Sequence, residues 1–221
     1  MKKLIVLLAI SFILFSCKKE EPVTPDNINI DTTNPIITLK GSNDMVIPFN
    51  SEWVEPGYVA IDDVDGDITN KVVISGIVNN ILAGDCLLTY NVSDAANNYA
   101  LPVNRNVTVD AACFLMGTYN VVNIYNGVTT NYSDNIIAAT DVKNKIYITR
   151  FANYTSGMVR LFLDGTNVDL PSQTVKCGLD NINHKFKGSG TFKPSKEIFI
   201  IYSDSSSLGI FENCTAIYNV K

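Results

Sequence analysis

The chain has 221 residues with 17 basic and 22 acidic side chains, a formal charge of −5, and 46% of it is hydrophobic. That length and composition suffice for one large core or two small ones, and the acidic balance argues against a nucleic-acid partner, which calls for a clustered basic surface. Asn, Ile, Val and Thr are the commonest residues, Tyr and Phe add 10 each, Pro and Gly recur at short intervals, and no long stretch repeats apolar residues at helical spacing, so the expected class is all-β.

Lys2 and Lys3 lead into the apolar run Leu4 to Phe15, and Ser16 stands before Cys17. A basic start, a short apolar segment and a small residue before cysteine form a bacterial lipoprotein signal, in which residues 1–16 are removed and Cys17 is acylated. A run of about a dozen apolar residues is too short for a spanning helix, which needs about 20. The expected partner at this end is therefore a membrane, reached through the N-terminal lipid. Loss of Lys2 and Lys3 leaves 15 basic against 22 acidic residues, a balance of −7.

Residues 17–33 read as a solvated tether, charged at Lys18-Lys19-Glu20-Glu21 and stiffened by Pro22 and Pro25. The four charged residues also resemble the export signals of Bacteroidota surface lipoproteins. That resemblance implies an outer-membrane protein facing the cell exterior. Asp31-Thr32-Thr33 is similar to a short O-glycosylation motif of the same phylum.

From residue 34 to residue 110 the pattern changes to short strands separated by turns: 36–39, 45–48, 58–61, 72–77, 86–92 and 100–109. The segments Asn34-Pro35-Ile36-Ile37-Thr38-Leu39, Glu55-Pro56-Gly57, Asp62-Asp63-Val64-Asp65-Gly66-Asp67-Ile68-Thr69 and Leu88 to Asn98 lie here. Together they resemble the bacterial immunoglobulin-like modules first described in a pesticidal crystal protein. The resemblance implies an Ig-like β-sandwich that serves as a spacer or binding module, without enzymatic activity. Where that family places glycine, Asn97 stands, a residue that also tolerates positive φ. Cys86 alternates with Leu88, Tyr90 and Val92 and so belongs to the core face.

Asp110-Ala111-Ala112 reads as a boundary. A second β unit is expected over residues 113–221, with strands at 118–125, 135–139, 145–151, 159–163, 174–179, 185–192, 197–202 and 209–218. Asp164-Gly165 and Lys193-Pro194-Ser195-Lys196 are turn signals. About eight consecutive strands with short connections describe a meander, closed as a barrel or folded as a sandwich, and closure removes exposed edges. Gly117-Thr118-Tyr119 and Cys214-Thr215-Ala216-Ile217-Tyr218 resemble lipocalin-like domains of Bacteroidota lipoproteins.

No catalytic constellation is legible, so no enzyme is expected. His184, the one histidine, reads as a surface residue with no candidate ligand beside it. Asp63, Asp65, Asp67 and Asp94 are the candidate calcium ligands, because Ig-like topology gathers their two loops at one end. The favoured alternative is that Asp65, Asp67 and Asp94 bond backbone N–H groups and fix their turns without a cofactor. Cys177 and Cys214, both on expected strands of the second unit, are expected to form a disulfide, with Cys86 and Cys113 left unpaired. Tyr119, Tyr125, Tyr132, Tyr147, Tyr154, Phe162 and Tyr202 are expected to be core residues, with a subset available to a sugar. The expected function is an Ig-like stalk presenting a C-terminal β unit that binds a glycan or a protein; a structural surface component is the alternative, and a hydrolase the third.

Overall fold

The computed structural model describes residues 30–178 and 180–221, so the signal, Cys17 and the charged tether lie outside the described residues. Within Thr32–Lys221, which forms one unit, two all-β bodies follow each other. The first is a sandwich. One sheet has the order β1 (Ile36–Leu39), β3 (Tyr58–Asp62), β4 (Gly66–Asp67). The other has β2 (Asp44–Pro48), β7 (Val103–Asp110), β6 (Gly84–Asn91), β5 (Val73–Ser75), and its β2–β7 pair is parallel. Alternation does the sorting: β6 buries Leu88 and Tyr90 and turns Leu87 to solvent. Asn97 has φ 69°, the conformation expected of it.

The sandwich also buries Arg105, whose guanidinium donates to the carbonyls of Ser42 (2.9 Å) and Lys40 (2.8 Å) and pairs with Glu55 at 3.2 Å. Tyr90 donates to the same carboxylate at 2.6 Å. A buried cation is tolerable here because carbonyls and a carboxylate replace its water.

The second body is a closed barrel of eight antiparallel strands in chain order: β8 (Gly117–Tyr125), β9 (Val128–Ala138), β10 (Lys145–Ile148), β11 (Val159–Asp164), β12 (Asn167–Lys176), β13 (Asn183–Phe192), β14 (Ile198–Ser206) and β15 (Gly209–Val220). β15 returns to β8 in register from Thr215 opposite Ile124 to Val220 opposite Tyr119. All eight expected strands are present, and both turn signals fall between strands. β12 begins at Asn167, not at 174. Pro171 masks the strand in the sequence, because it breaks the alternation and marks a bulge where the register shifts between Leu170 and Gln173.

Gln173 repairs the gap. Its side-chain amide accepts from Arg160 N at 3.0 Å and donates to Arg160 O at 2.8 Å, imitating a strand partner beside β11. The barrel interior is packed with side chains. Phe151, from a single 3-10 turn, enters it and meets Phe186 and Tyr202 edge-on at 5.2 and 4.7 Å between ring centres.

The segment expected as a boundary is buried. Asp110, Ala111 and Ala112 run into a helical turn, Ala112–Leu115, and Asn144 from the β9–β10 loop plugs against them. Its amide donates to Val109 O (2.8 Å) and accepts from Ala111 N (2.7 Å). Ala83 and Gly165 exchange two backbone bonds of 2.8 and 2.7 Å. Phe49 of the sandwich lies 4.9 Å from Phe114 and 5.3 Å from Phe192.

Candidate functional site

Because the barrel core is filled, side chains free to meet a ligand are the outward ones. On β11–β14 these align across the strands into two rows. In one row Phe162 is opposite Asp169, Asp169 opposite Ser189, and Ser189 opposite Ile201. In the other, Asp164 is opposite Asn167, Asn167 opposite Thr191, and Thr191 opposite Phe199. Side chains directly opposite on one face are near neighbours, so each row is a continuous strip, the first running from a ring through acid and hydroxyl to an aliphatic group and the second from acid and amide through hydroxyl to a ring. The two rows line an open groove of about 710 Å³.

Gly190 lies on the groove floor, and a Cβ there would overlap the carbonyl oxygen of Phe199. Bare backbone at this position therefore lets β13 lie against β14. Phe162 remains 37% and Ile201 45% exposed, so apolar surface is available in the groove. The carboxylates of Asp164 and Asp169 hold no hydrogen bond or ion pair among the described residues. The groove thus offers apolar ring faces beside free acceptors and hydroxyls, a combination that fits a polyhydroxylated ring with apolar C–H faces.

Within the barrel lies a polar chain that the sequence reading misplaced. His184 is 0% exposed, not a surface residue, and it has two partners beside it. Its Nδ1 bonds both oxygens of Asp204 (2.9 and 2.8 Å), and its Nε2 bonds Asp180 at 2.9 Å. Tyr125 donates to Asp204 at 3.0 Å, and Tyr154 lies on the imidazole at 4.4 Å between ring centres. Burial by itself would push the imidazole down, yet the bonds to Asp180 and Asp204 outweigh it and the net direction is upward. No sequence spacing announced this, since Asp204 reaches His184 across the β13–β14 pair and Tyr125 reaches Asp204 from β8, beyond β15. Asp180, four residues away, was the available hint.

Tyr125 and Tyr154 also line a shallow hollow of about 330 Å³ at the same end, and burial pushes the Tyr154 hydroxyl up to about 12. Of the seven aromatics named from sequence, Tyr119 and Tyr202 are inside the barrel and Phe162 lines the outer groove. Phe199, not among them, is the second aromatic of the groove; its position opposite Thr191 is visible only in the register.

The acidic turn and its facing loop do meet. Asp65 accepts from Ala95 N at 2.7 Å and from Lys71 at 3.3 Å, Asp67 from Thr69 N at 2.9 Å, and Asp94 from Asn98 N at 2.7 Å. Asp62 accepts from Val64 N and Asp65 N at 3.0 and 2.8 Å. Bonds from Thr69 hold the Asp67 carboxyl below the ordinary range. Asp63 of the candidate calcium set is exposed.

The cysteines require a correction. Cys177 and Cys214 are both buried free thiols, not a disulfide. Cys177 follows β12, Cys214 is in β15, and β13 and β14 separate them. Burial pushes the Cys177 thiol up to about 12.

Residues 37–109 match the family model described as bacterial surface protein, Ig-like domain. No curated protein matches the chain. Among solved structures, the chain is similar to the lipoprotein BT2262 from Bacteroides thetaiotaomicron, with 18% identity, 84% of this chain and 99% of that one covered, and a TM-score of 0.35. It is also similar to a structure of CBM51-2 in complex with GlcNAc and INT domains from ZmpB of Clostridium perfringens, with 20% identity, 75% of this chain and 29% of that one covered, and a TM-score of 0.30.

Proposed function

We propose that this chain is a non-catalytic bacterial surface lipoprotein, anchored through Cys17 to the outer membrane and facing outward, whose barrel binds a glycan. The observation that carries the glycan reading is the double row on β11–β14, where Phe162, Phe199 and Ile201 stand beside the unengaged carboxylates of Asp164 and Asp169. Supporting the surface location is the Ig-like match over residues 37–109; supporting the anchor is the apolar run Leu4 to Phe15 followed by Ser16 and Cys17. The sandwich serves as the stalk.

The test is a glycan array probed with residues 17–221 carrying Cys17→Ser. Specific binding is expected, and Phe199→Ala should weaken it about tenfold or more while leaving the melting temperature close to that of the parent. A flat array would leave the structural-component reading in its place.

A further inference from the structure

We propose that the ligand is a neutral, linear glycan bound along its length, in a cleft that continues from the barrel groove onto the sandwich. This rests on the glycan reading above and names its ligand class. Asp164, at the end of one groove row, also lines a second hollow of about 330 Å³ formed with Ile77, Leu82, Asp85 and Cys86 of the sandwich. The two hollows therefore share a wall residue. They meet where Ala83 and Gly165 exchange their backbone bonds, and Asn144 and the Phe49–Phe114–Phe192 cluster hold the sandwich and the barrel together beside that point.

Two features decide the ligand class. First, the cleft is open rather than a closed pocket, so it accommodates the middle of a chain and does not require a chain end. Second, its charged lining residues are Asp85, Asp164 and Asp169, with no basic residue among those that line either hollow. Carboxylates accept hydrogen bonds from hydroxyls but repel uronate or sulfate groups. Ile77, 81% exposed at the far end, offers the apolar contact there that Phe199 offers on the barrel.

The measurement is calorimetric titration of residues 17–221 carrying Cys17→Ser with xylo-, manno- and gluco-oligosaccharide ladders from disaccharide to octasaccharide, and with an oligogalacturonate ladder as the acidic control. Affinity for one neutral ladder should rise about tenfold or more with length. Ile77→Asn and Leu82→Asn should abolish that gain with length, and Phe199→Ala should weaken every length. Melting curves of the three variants check that each folds. Length-independent binding, an unaltered gain in the junction variants, or equal binding of the acidic ladder would overturn the proposal and leave the glycan reading standing. No binding by any ladder, together with a flat array, would remove both.

Discussion

His184 shows what a single residue can hide. In sequence it is one polar residue of Asn183-His184-Lys185, and alternation alone would place it on either face. The closed barrel points it inward, between Asp180 and Asp204, and a buried imidazole with a carboxylate on each nitrogen is favoured in its charged form. The sign of the pH dependence follows. An imidazole whose folded value is raised above its unfolded value of about 6.5 contributes stability that is fully present below that pH. The contribution is lost as pH rises through the folded value. Melting temperature should therefore fall as pH increases from about 6.5, and a His184→Ala chain should lack that component. At pH 6 the same substitution should cost about 3 kcal/mol or more in urea unfolding, because it leaves the Asp204 carboxylate, itself 0% exposed, without its cation. A loss below 1 kcal/mol would show that the charged triad is not what stabilises this end of the barrel.

The cysteines make a second prediction at the same scale. Thiolate is the reactive form, and Cys177 and Cys214 are buried with their thiols pushed up. In a Cys17→Ser chain, iodoacetamide should modify the exposed Cys113 first and reach Cys177 and Cys214 only after denaturation. Mass mapping at intervals reads the order; early labelling of Cys177 would contradict its burial.

Among the elements, β12 and β13 show how strand chemistry builds a surface. Pro171 lacks an N–H and bulges β12, and Gln173 supplies from its side chain the donor and acceptor that β11 would otherwise lack. Replacing Gln173 by Ala leaves the Arg160 N–H and C=O without that partner, and unfolding free energy should drop by about 1–3 kcal/mol. Gly190 depends on close approach rather than on turn geometry. A methyl group there must push β14 away, so Gly190→Ala should distort the groove and reduce stability together, whereas Thr191→Ala on the open side should leave stability nearly unchanged. Parallel urea melts distinguish the two substitutions.

For the molecule as a whole, the question is whether sandwich and barrel act as one body. Asn144 bonds Val109 O and Ala111 N in a buried setting, and Lys143 lies 3.6 Å from Asp110 beside it. Asn144→Ala strips both backbone groups of their partner, which should cost about 2 kcal/mol and open the 110–116 segment to limited proteolysis. Persistence of the uncut chain at wild-type rates would mean that the aromatic cluster and the Ala83–Gly165 bonds suffice by themselves. A stiff junction matters for function because a cleft shared by two bodies keeps its shape only if they do not move independently.

Local pattern in the sequence was enough to predict the all-β class, the sandwich of short strands and the eight barrel strands, because alternation and turn residues are local properties, whereas the positive φ of Asn97 followed from the resemblance to Ig-like modules. The same resemblance implied that the Asp62–Asp67 turn and the Asp94 loop would meet, as the bond from Ala95 N to Asp65 shows they do. Register, closure and facing were decided elsewhere. The expected Cys177–Cys214 disulfide is absent, both being free thiols, and His184 was misplaced because one partner, Asp204, lies 20 residues on across the β13–β14 pair and the other, Asp180, faces it only once the β12–β13 turn has formed. The groove is legible only after the strands are paired. Phe162, Asp169, Ser189 and Ile201 become one strip solely through the hydrogen-bond register of four strands, a long-range arrangement set by packing of the barrel interior and not by any stretch of chain.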